Sequence, residues 1–351
     1  MKLIRSIEST ALPGNGCALT IGNFDAVHVG HRRILRALVA RAHRLNLPAV
    51  VMTFDPHPQE FFAAAGDSPP PPRLTTVASR FFALRDCGVD LMLSLRFNRK
   101  LAQTSAEEFV RRHLIARLQV RHLLIGDDFR FGARRAGDFH LLESMARAGN
   151  YSVERVDAIE AGGARISSSR IRGLLAAGEL AAAEELLGRR YAHVGRIRRG
   201  QQRGRVWGFP TINLRIAHRP ALTGIFAVTV RGLSDAPLPG VASLGNRPTL
   251  RDSATLLEVH LFDFDGEVYG KRVCVEFVAR IRDEEKFASY DALIKRIGED
   301  AKIARRWLGD GDGDAPSRHP RSPRSKDCGG DESGGGDGDG DGDAHRDGNN
   351  A

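Results

Sequence analysis

Long apolar runs are missing from this 351-residue chain. No stretch approaches the roughly eighteen apolar residues from which a membrane-spanning helix is read, so no membrane partner is predicted. Cysteine is scarce as well. The four, at positions 17, 87, 274 and 328, form no C-x-x-C pair, and so few in a chain of this length point to a reducing compartment. Charges break the apolar residues of "MKLIRSIEST", so no signal peptide is predicted and the chain reads as cytoplasmic. Runs of arginine or lysine and an aromatic-rich RNA-binding strand are also lacking, which removes nucleic acid from the expected partners.

What is present is an uneven positive charge. The formal net charge is +9. From Gly309 onward eleven Asp and Glu face five Lys and Arg, a net of −6, which leaves +15 on residues 1–308. A basic body of this kind suits small phosphorylated ligands. The segment from 309 to 351 holds twelve glycines and no Val, Ile, Leu, Met or aromatic residue, so it is predicted to be a disordered tail. Its "GDGDGDG" run lacks the turn and the bidentate Glu of a calcium loop. The length allows about two domains at roughly 150 residues each.

Residues 1–186 alternate strand and helix patterns. "CALTIG", "PAVVMTF", "DLMLSL" and "VRHLLIG" read as buried strands. Between them lie helical stretches: "HRRILRALVARAHRL", with Ile34, Leu35, Leu38, Val39, Ala42 and Leu45 on one face, "VASRFFALRDCG", and "SAEEFVRRHLIARL", where Ser105 and Glu108 suggest a capping box. "DFHLLESMARAG" and "SSSRIRGLLAAGELAAAEELLG" complete the unit. The rhythm predicts an α/β domain with a parallel sheet covered on both faces. Residues 187–308 are β-rich, as in "GIFAVTVRG" and "LEVHLFDFDGEVYGKRVCVEFV", and predict an antiparallel barrel closed by the amphipathic helix "SYDALIKRIGEDAKIARRWL". The "FDG" between two alternating runs predicts a hairpin. No internal repeat is present, and nothing in the chain specifies an oligomeric state.

Four stretches fall on strand-to-helix connections at one sheet edge: "GNFDAVHVGH", "TFDPHPQEFF", "GDDFRFG" and "ISSSRIR". Such connections present backbone N–H groups and helix N-termini to phosphate. His28 and His31, three apart on a first helical turn, can point at one anion, with Gly30 letting a phosphate approach the backbone. Two other readings of the pair stay open. One histidine could serve as a helix cap, or the pair could bind a metal with a third ligand from Cys17 or Asp25. Ser168, Ser169 and Arg172 could grip a triphosphate, or form an ordinary serine-rich cap. Asp128 could hold a ribose or a base. In the β-rich half, Thr211 and Asn213 lie two apart on a strand and offer oxygens to Mg²⁺ and phosphate, unless that strand merely shows a polar face. Glu258, among apolar neighbours, is costly unless paired or used.

In this order the four N-terminal stretches resemble the signatures of bacterial FAD synthetase, in the broad class of nucleotidylyltransferases with a His-x-Gly-His motif. "GRRYAHVGRIRRGQQRGRVWGFPTINL", "GVASLGNRPTL" and "LEVHLFDFDGEVYGKRVCVEFV" are similar to riboflavin kinase. The resemblance covers nearly all of residues 15–308 and is to the bifunctional riboflavin kinase/FMN adenylyltransferase family. It implies a Rossmann-like nucleotidylyltransferase domain over 1–186 and an antiparallel barrel with a terminal helix over 187–308. It implies riboflavin, FMN and ATP as substrates, Mg²⁺ with the ATP, and FAD as the final product.

The resemblance also implies roles. Glu258 would be the base that deprotonates riboflavin, and His28 and His31 would act at the adenylyl transfer. Gly22, Phe24, Asp128, Ser168, Ser169, Arg172, Gly195, Gly200 and Gly208 would bind nucleotide. His57 and Arg282 would bind flavin, and Thr211 and Asn213 the metal. Gly204, with the other barrel glycines, would let a loop close over ATP. Ala26, Ser169 and Ile212 depart from the family pattern, which usually has glycine, threonine and alanine there. Ala26 could narrow its turn, and the Ile212 side chain is expected to point away from Thr211 and Asn213. Two rivals to the double activity are a chain retaining one transfer and a non-catalytic flavin- or nucleotide-binding regulator.

Overall fold

In the computed structural model of the chain, residues 1–7, 15–64, 66, 69–200, 204, 207–246 and 255–309 are described. The expected disordered tail, apart from Gly309, lies outside them.

Six strands build the first sheet: β1 (Lys2–Ile4), β2 (Cys17–Ile21), β3 (Ala49–Phe54), β4 (Leu91–Leu95), β5 (Val120–Gly126) and β6 (Ser152–Val156). All pairings are parallel, in the order β1-β4-β3-β2-β5-β6. Every residue of β2 and β4 is buried, the continuous apolar pattern of a sheet covered on both faces. Strand β2 lies between β3 and β5, so the chain leaves it in one direction and returns on its other side. The loops after β2 and β5 therefore flank a crevice at the carboxyl edge, where open α/β sheets place ligands.

The first helix, α1 (Val29–Arg44), buries Leu35, Leu38 and Ala42. Leu45, expected on the same face, is its C-cap and is exposed, because the helix ends one residue earlier. Helices α2 (Pro58–Ala63), α3 (Val77–Arg85), α4 (Arg99–Gln103) and α5 (Ala106–Phe109) follow, the last running into a π-helical segment over Val110–Arg117. Ser105 Oγ accepts from the amide of Glu108 at 3.1 Å, but the Glu108 carboxylate turns to Arg112 at 3.7 Å. The reciprocal capping box forms instead at His57 and Glu60. After α6 (Phe139–Gly149) and a two-stranded ribbon, β7 (Glu160–Ala161) and β8 (Ala164–Arg165), come α7 (Ser168–Ala177) and α8 (Leu180–Leu187). Both end on left-handed glycines, Gly178 and Gly188.

The second sheet is antiparallel: β9 (Ala192–Arg196), β10 (Thr211–Ile216), β11 (Gly224–Arg231), β12 (Leu238–Asn246), β13 (Thr255–Leu261) and β14 (Arg272–Arg282), in the order β10-β13-β12-β11-β14-β9. A bridge between Arg198 and Asn213 brings its two edges together, so the barrel is nearly closed. The hairpin expected at "FDG" does not form. Strand β13 pairs with β10 and β12, whereas β14 pairs with β11 and β9, so residues 262–271 cross the barrel end rather than turn back. Backbone bonds from Phe262 to Pro239 and from Gly270 to Ile197, both 2.9 Å, give that crossing its anchors. Helix α9 (Tyr290–Leu308) lays Ala304 against a small cluster containing Ala227, Val241 and Ala279. A larger apolar cluster runs from Leu175, Leu186 and Leu187 of α7 and α8 into Phe226 and Phe277 of the barrel, so the two halves share a core.

Candidate active sites

The turn between β2 and α1 carries the histidine pair. Phe24, Ala26 and Val27 all have positive φ, 48°, 78° and 46°. Only tertiary contacts can hold three L-residues there. Asp25, 2% exposed, supplies them. Its carboxylate accepts from the amides of Leu74 and Thr75 (3.2 and 3.0 Å), from the Thr75 hydroxyl (2.9 Å) and from Arg172 Nη2 (2.6 Å). Burial pushes the Asp25 carboxyl up, but Arg172, Arg80 and these hydrogen bonds outweigh it and hold it below its ordinary value. Ser168 Oγ donates to the Asp25 carbonyl at 2.9 Å, and Arg189 donates to that of Ala26 at 2.8 Å. One buried carboxylate thus ties the turn to the loop before α3 and to α7.

His28 caps α1, its Nδ1 accepting from the amide of His31 at 3.2 Å, so Nε2 carries its proton when the ring is neutral. The two imidazoles stack with centroids 3.7 Å apart and planes 14° from parallel. Burial pushes the His28 pKa down to about 4 and that of His31 well below the ordinary value, so both rings are neutral at pH 7. A Cβ at Gly30 would lie 3.2 Å from His28 Cε1 and Nδ1, so glycine there leaves room for the ring.

The other predicted contacts divide. Gly22 and Phe24 stand on this turn, with the Phe24 ring 5.0 Å from that of His31. Ser169 is exposed in the first turn of α7. Asp128 pairs with Arg165 at 2.8 Å across the edge. Arg172, expected on phosphate, is engaged by Asp25 and by the Pro72 carbonyl (Nε, 2.6 Å), so it anchors the loops. His57 caps α2 through Nδ1, which accepts from Gln59 at 3.1 Å, and burial lowers its pKa to about 4. In this half, sequence reading missed two features. One is a cluster of Phe54, Phe61, Phe62 and Phe97 at the ends of β3 and β4, with Phe62 57% exposed. The other is Arg80 of α3, 2% exposed, which the helical pattern alone presents as an ordinary surface arginine.

The barrel holds a cavity of about 860 Å³ lined by Gly200, Gly204, Thr211, Asn213, Glu258 and Arg282, among others. Asn213 stands opposite Glu258 across β10 and β13, and Ser243 of β12 stands opposite Glu258 on the other side. Ile212 packs into the barrel core with Leu214, away from Thr211 and Asn213. Arg282 is pinned to the buried Asp300 of α9 by a bidentate pair, Nε to Oδ1 at 2.9 Å and Nη2 to Oδ2 at 2.7 Å. Asp300 and Glu284, both lining the cavity, were missed. Burial raises the Glu284 pKa, Arg282 opposes this and Glu258 adds to it. Of two expected loop residues, Gly195 packs on Leu214 within β9, and Gly208, with φ 79°, stands between Trp207 and Phe209 of the cavity wall.

A Rossmann-like sheet with a histidine pair on the turn at its carboxyl edge, fused to a barrel with a carboxylate, an amide and a hydroxyl around one cavity, defines a two-site nucleotide-dependent transferase. The FAD synthetase family matches residues 12–170 and the riboflavin kinase family residues 187–308. A bifunctional riboflavin kinase/FMN adenylyltransferase of Escherichia coli K12 is 43% identical over 88% of this chain and 98% of its own length. Its counterpart in Haemophilus influenzae is 41% identical over 88% and 99%. A solved structure described as a macrolide-efflux protein from Streptococcus pneumoniae shares the fold, with TM-score 0.71 and 28% identity over 87% of this chain and 99% of that one. Among the described residues no helix is long and apolar enough to cross a membrane. The chain belongs to the bifunctional riboflavin kinase/FMN adenylyltransferase family.

Proposed function

We propose that this chain makes FAD from riboflavin by two ATP-dependent transfers, one in each half, with a domain boundary between residues 186 and 187. The observation that carries the kinase reading is the row of Asn213, Glu258 and Ser243 across three adjacent strands beside one large cavity. The ribityl 5′-hydroxyl attacks the γ-phosphorus of ATP, Glu258 takes its proton, and the bond from the γ-phosphorus to the bridging oxygen breaks to release ADP. Thr211 and Asn213 offer neutral oxygens of the hard type that Mg²⁺ accepts alongside phosphate and water. The Asn213 amide nitrogen points back at the Thr211 carbonyl, 3.5 Å away, consistent with its Oδ1 being the ligand atom. The metal, when bound, neutralises phosphate charge. Arg282, held rigid by Asp300, would orient the flavin.

In the N-terminal half a phosphate oxygen of FMN attacks the α-phosphorus of a second ATP, and the α–β bridging bond breaks to release pyrophosphate. The nucleophile is already ionised, so no strong base is required. His28 and His31 act as neutral hydrogen-bond donors to the phosphates, with Ser169 and the α7 N-terminus beside them. Asp25, Arg172 and Ser168 hold that arrangement together. The exposed face of the phenylalanine cluster next to His57 offers a flat apolar support for the flavin ring. The scarcity of cysteine in the sequence supports placement in the cytoplasm.

The test is incubation of the full chain with riboflavin, ATP and Mg²⁺, separating FMN and FAD over time. FMN should rise first and then fall as FAD accumulates. FMN alone would leave a one-activity kinase, and neither product would leave a binding protein.

A further inference from the structure

Arg80 is a buried cation whose charge has no directly bonded counterpart. Its side chain is among the largest fully buried ones, and among the described residues it makes no ion pair within 4.0 Å. Nη1 donates to Thr53 Oγ1 at 2.9 Å, and that hydroxyl donates onward to the Asn23 carbonyl at 3.1 Å. Nε is buried without a hydrogen-bond partner, and so is Nδ1 of His31. A folded protein rarely leaves such groups unpaired, because each costs about 1–3 kcal/mol of desolvation. These two groups stand on α3 and at the start of α1, and the Arg80 charge acts on the His31 ring.

Resting on the adenylyl-transfer reading above, we propose that Arg80 is a positioning residue of that reaction. Its guanidinium is fixed to the phosphate-binding turn through Thr53 and sets the positive field in which His31 meets the triphosphate. The groups facing His31 are the stacked His28, the Phe24 ring and Arg80. Asp25 and Arg165 act on it through His28. Burial, His28 and Arg80 in that order keep the His31 imidazole neutral, so it donates a hydrogen bond without carrying a charge of its own. The full charge comes instead from Arg80: burial pushes its pKa down and Asp25 opposes this, but a guanidinium keeps its proton at neutral pH. As pyrophosphate departs, negative charge builds up over a cation already in place, with no reorganisation required.

The experiment uses full-length Arg80→Met, Arg80→Lys and Thr53→Val. FMN-to-FAD conversion, riboflavin phosphorylation, melting and the His31 imidazole titration by NMR are measured on each. Arg80→Met should lower kcat for FAD synthesis by about tenfold or more, leave riboflavin phosphorylation within about twofold, and raise the His31 pKa. Arg80→Lys should keep the His31 pKa low and recover most of the rate. Thr53→Val, which keeps the charge and loses the tether, should reduce kcat for FAD synthesis less than Arg80→Met does. If Arg80→Met does not fold, the lysine and valine variants decide. A lysine variant with a raised His31 pKa, or a valine variant with unchanged kcat, overturns the proposal. So does an Arg80→Met enzyme that makes FAD within about twofold of the native rate. Absence of FAD synthesis in the unmodified chain would instead overturn the adenylyltransferase reading itself.

Discussion

Ala26 is the residue of the β2–α1 turn with the largest positive φ. It is 1% exposed with φ 78°, a conformation that disfavours any Cβ, yet its amide is held by Thr75 Oγ1 at 3.2 Å and its carbonyl by Arg189. Ala26→Gly should relieve left-handed strain of about 1–2 kcal/mol while giving the unfolded chain more freedom, for a net gain of up to ~1 kcal/mol. Thermal melting reads this, and a lower melting temperature would show that the methyl group's packing outweighs the strain. Glu258 supplies the second prediction at this scale. Glu258→Gln keeps the side-chain shape and removes the base, so FMN formation should stop while added FMN is still converted to FAD. Substantial riboflavin phosphorylation by this variant would transfer the role of base to another cavity carboxylate, with Glu284 the first candidate.

Among elements, the β2–α1 turn, the loop before α3 and helix α7 act as one unit because Asp25 bonds to all of them. Asp25→Asn would leave the Arg172 guanidinium buried with a much weaker partner, and breaking a buried pair typically costs about 3–5 kcal/mol. The loss should appear as a clearly lower melting temperature together with slower FAD synthesis, while a fragment of residues 187–308 is unaffected because it lacks the pair. Equal melting of Asp25→Asn and the native chain would show that the turn is held by its other contacts. The crossover at 262–271 is an element-scale correction of a different kind. A glycine turn between two alternating runs is compatible with both a hairpin and a crossing, since local backbone preference does not specify which strand lies alongside.

For the whole molecule, the shared cluster from α8 into the barrel predicts asymmetry between the halves. Residues 1–186 expressed alone should melt at least ~5 °C below the full chain, because the faces of Leu175 and Leu186 lose their cover. Residues 187–308 should still form FMN, since every named cavity residue belongs to that segment. A barrel fragment without kinase activity would move the boundary. Acid stability is the second property at this scale. His28, His57 and His193, each under 9% exposed, have pKa values pushed by burial from 6.5 down to about 4. Below pH 6.5 the unfolded chain takes up these protons and the folded chain does not, so stability falls with pH until about 4, where the folded rings titrate too. Melting temperatures measured from pH 7 to 4.5 should therefore decrease steadily. A flat profile over that interval would mean that the three imidazoles are not buried in neutral form.

The sequence by itself determined the two-part architecture. Periodicity of apolar residues distinguishes buried parallel strands such as "CALTI" and "DLMLSL" from the short alternating strands of the barrel, and that periodicity is a local property. It also set His28 beside His31 on one helical turn and Thr211 beside Asn213 on one strand face, because spacings of three and two residues fix a common face. Tertiary structure alone decided how each polar group is used. Arg172 and Ser169 belong to one motif, yet the first is drawn into a buried pair with Asp25 and the second stays exposed. Arg282 and Asp300 are eighteen residues apart and meet only because α9 packs across the barrel. Arg80 looks like any helical surface arginine until α3 is laid against the sheet and its guanidinium is enclosed and bonded to Thr53. Pairings of this kind depend on distances between segments remote in sequence, and no local pattern encodes them.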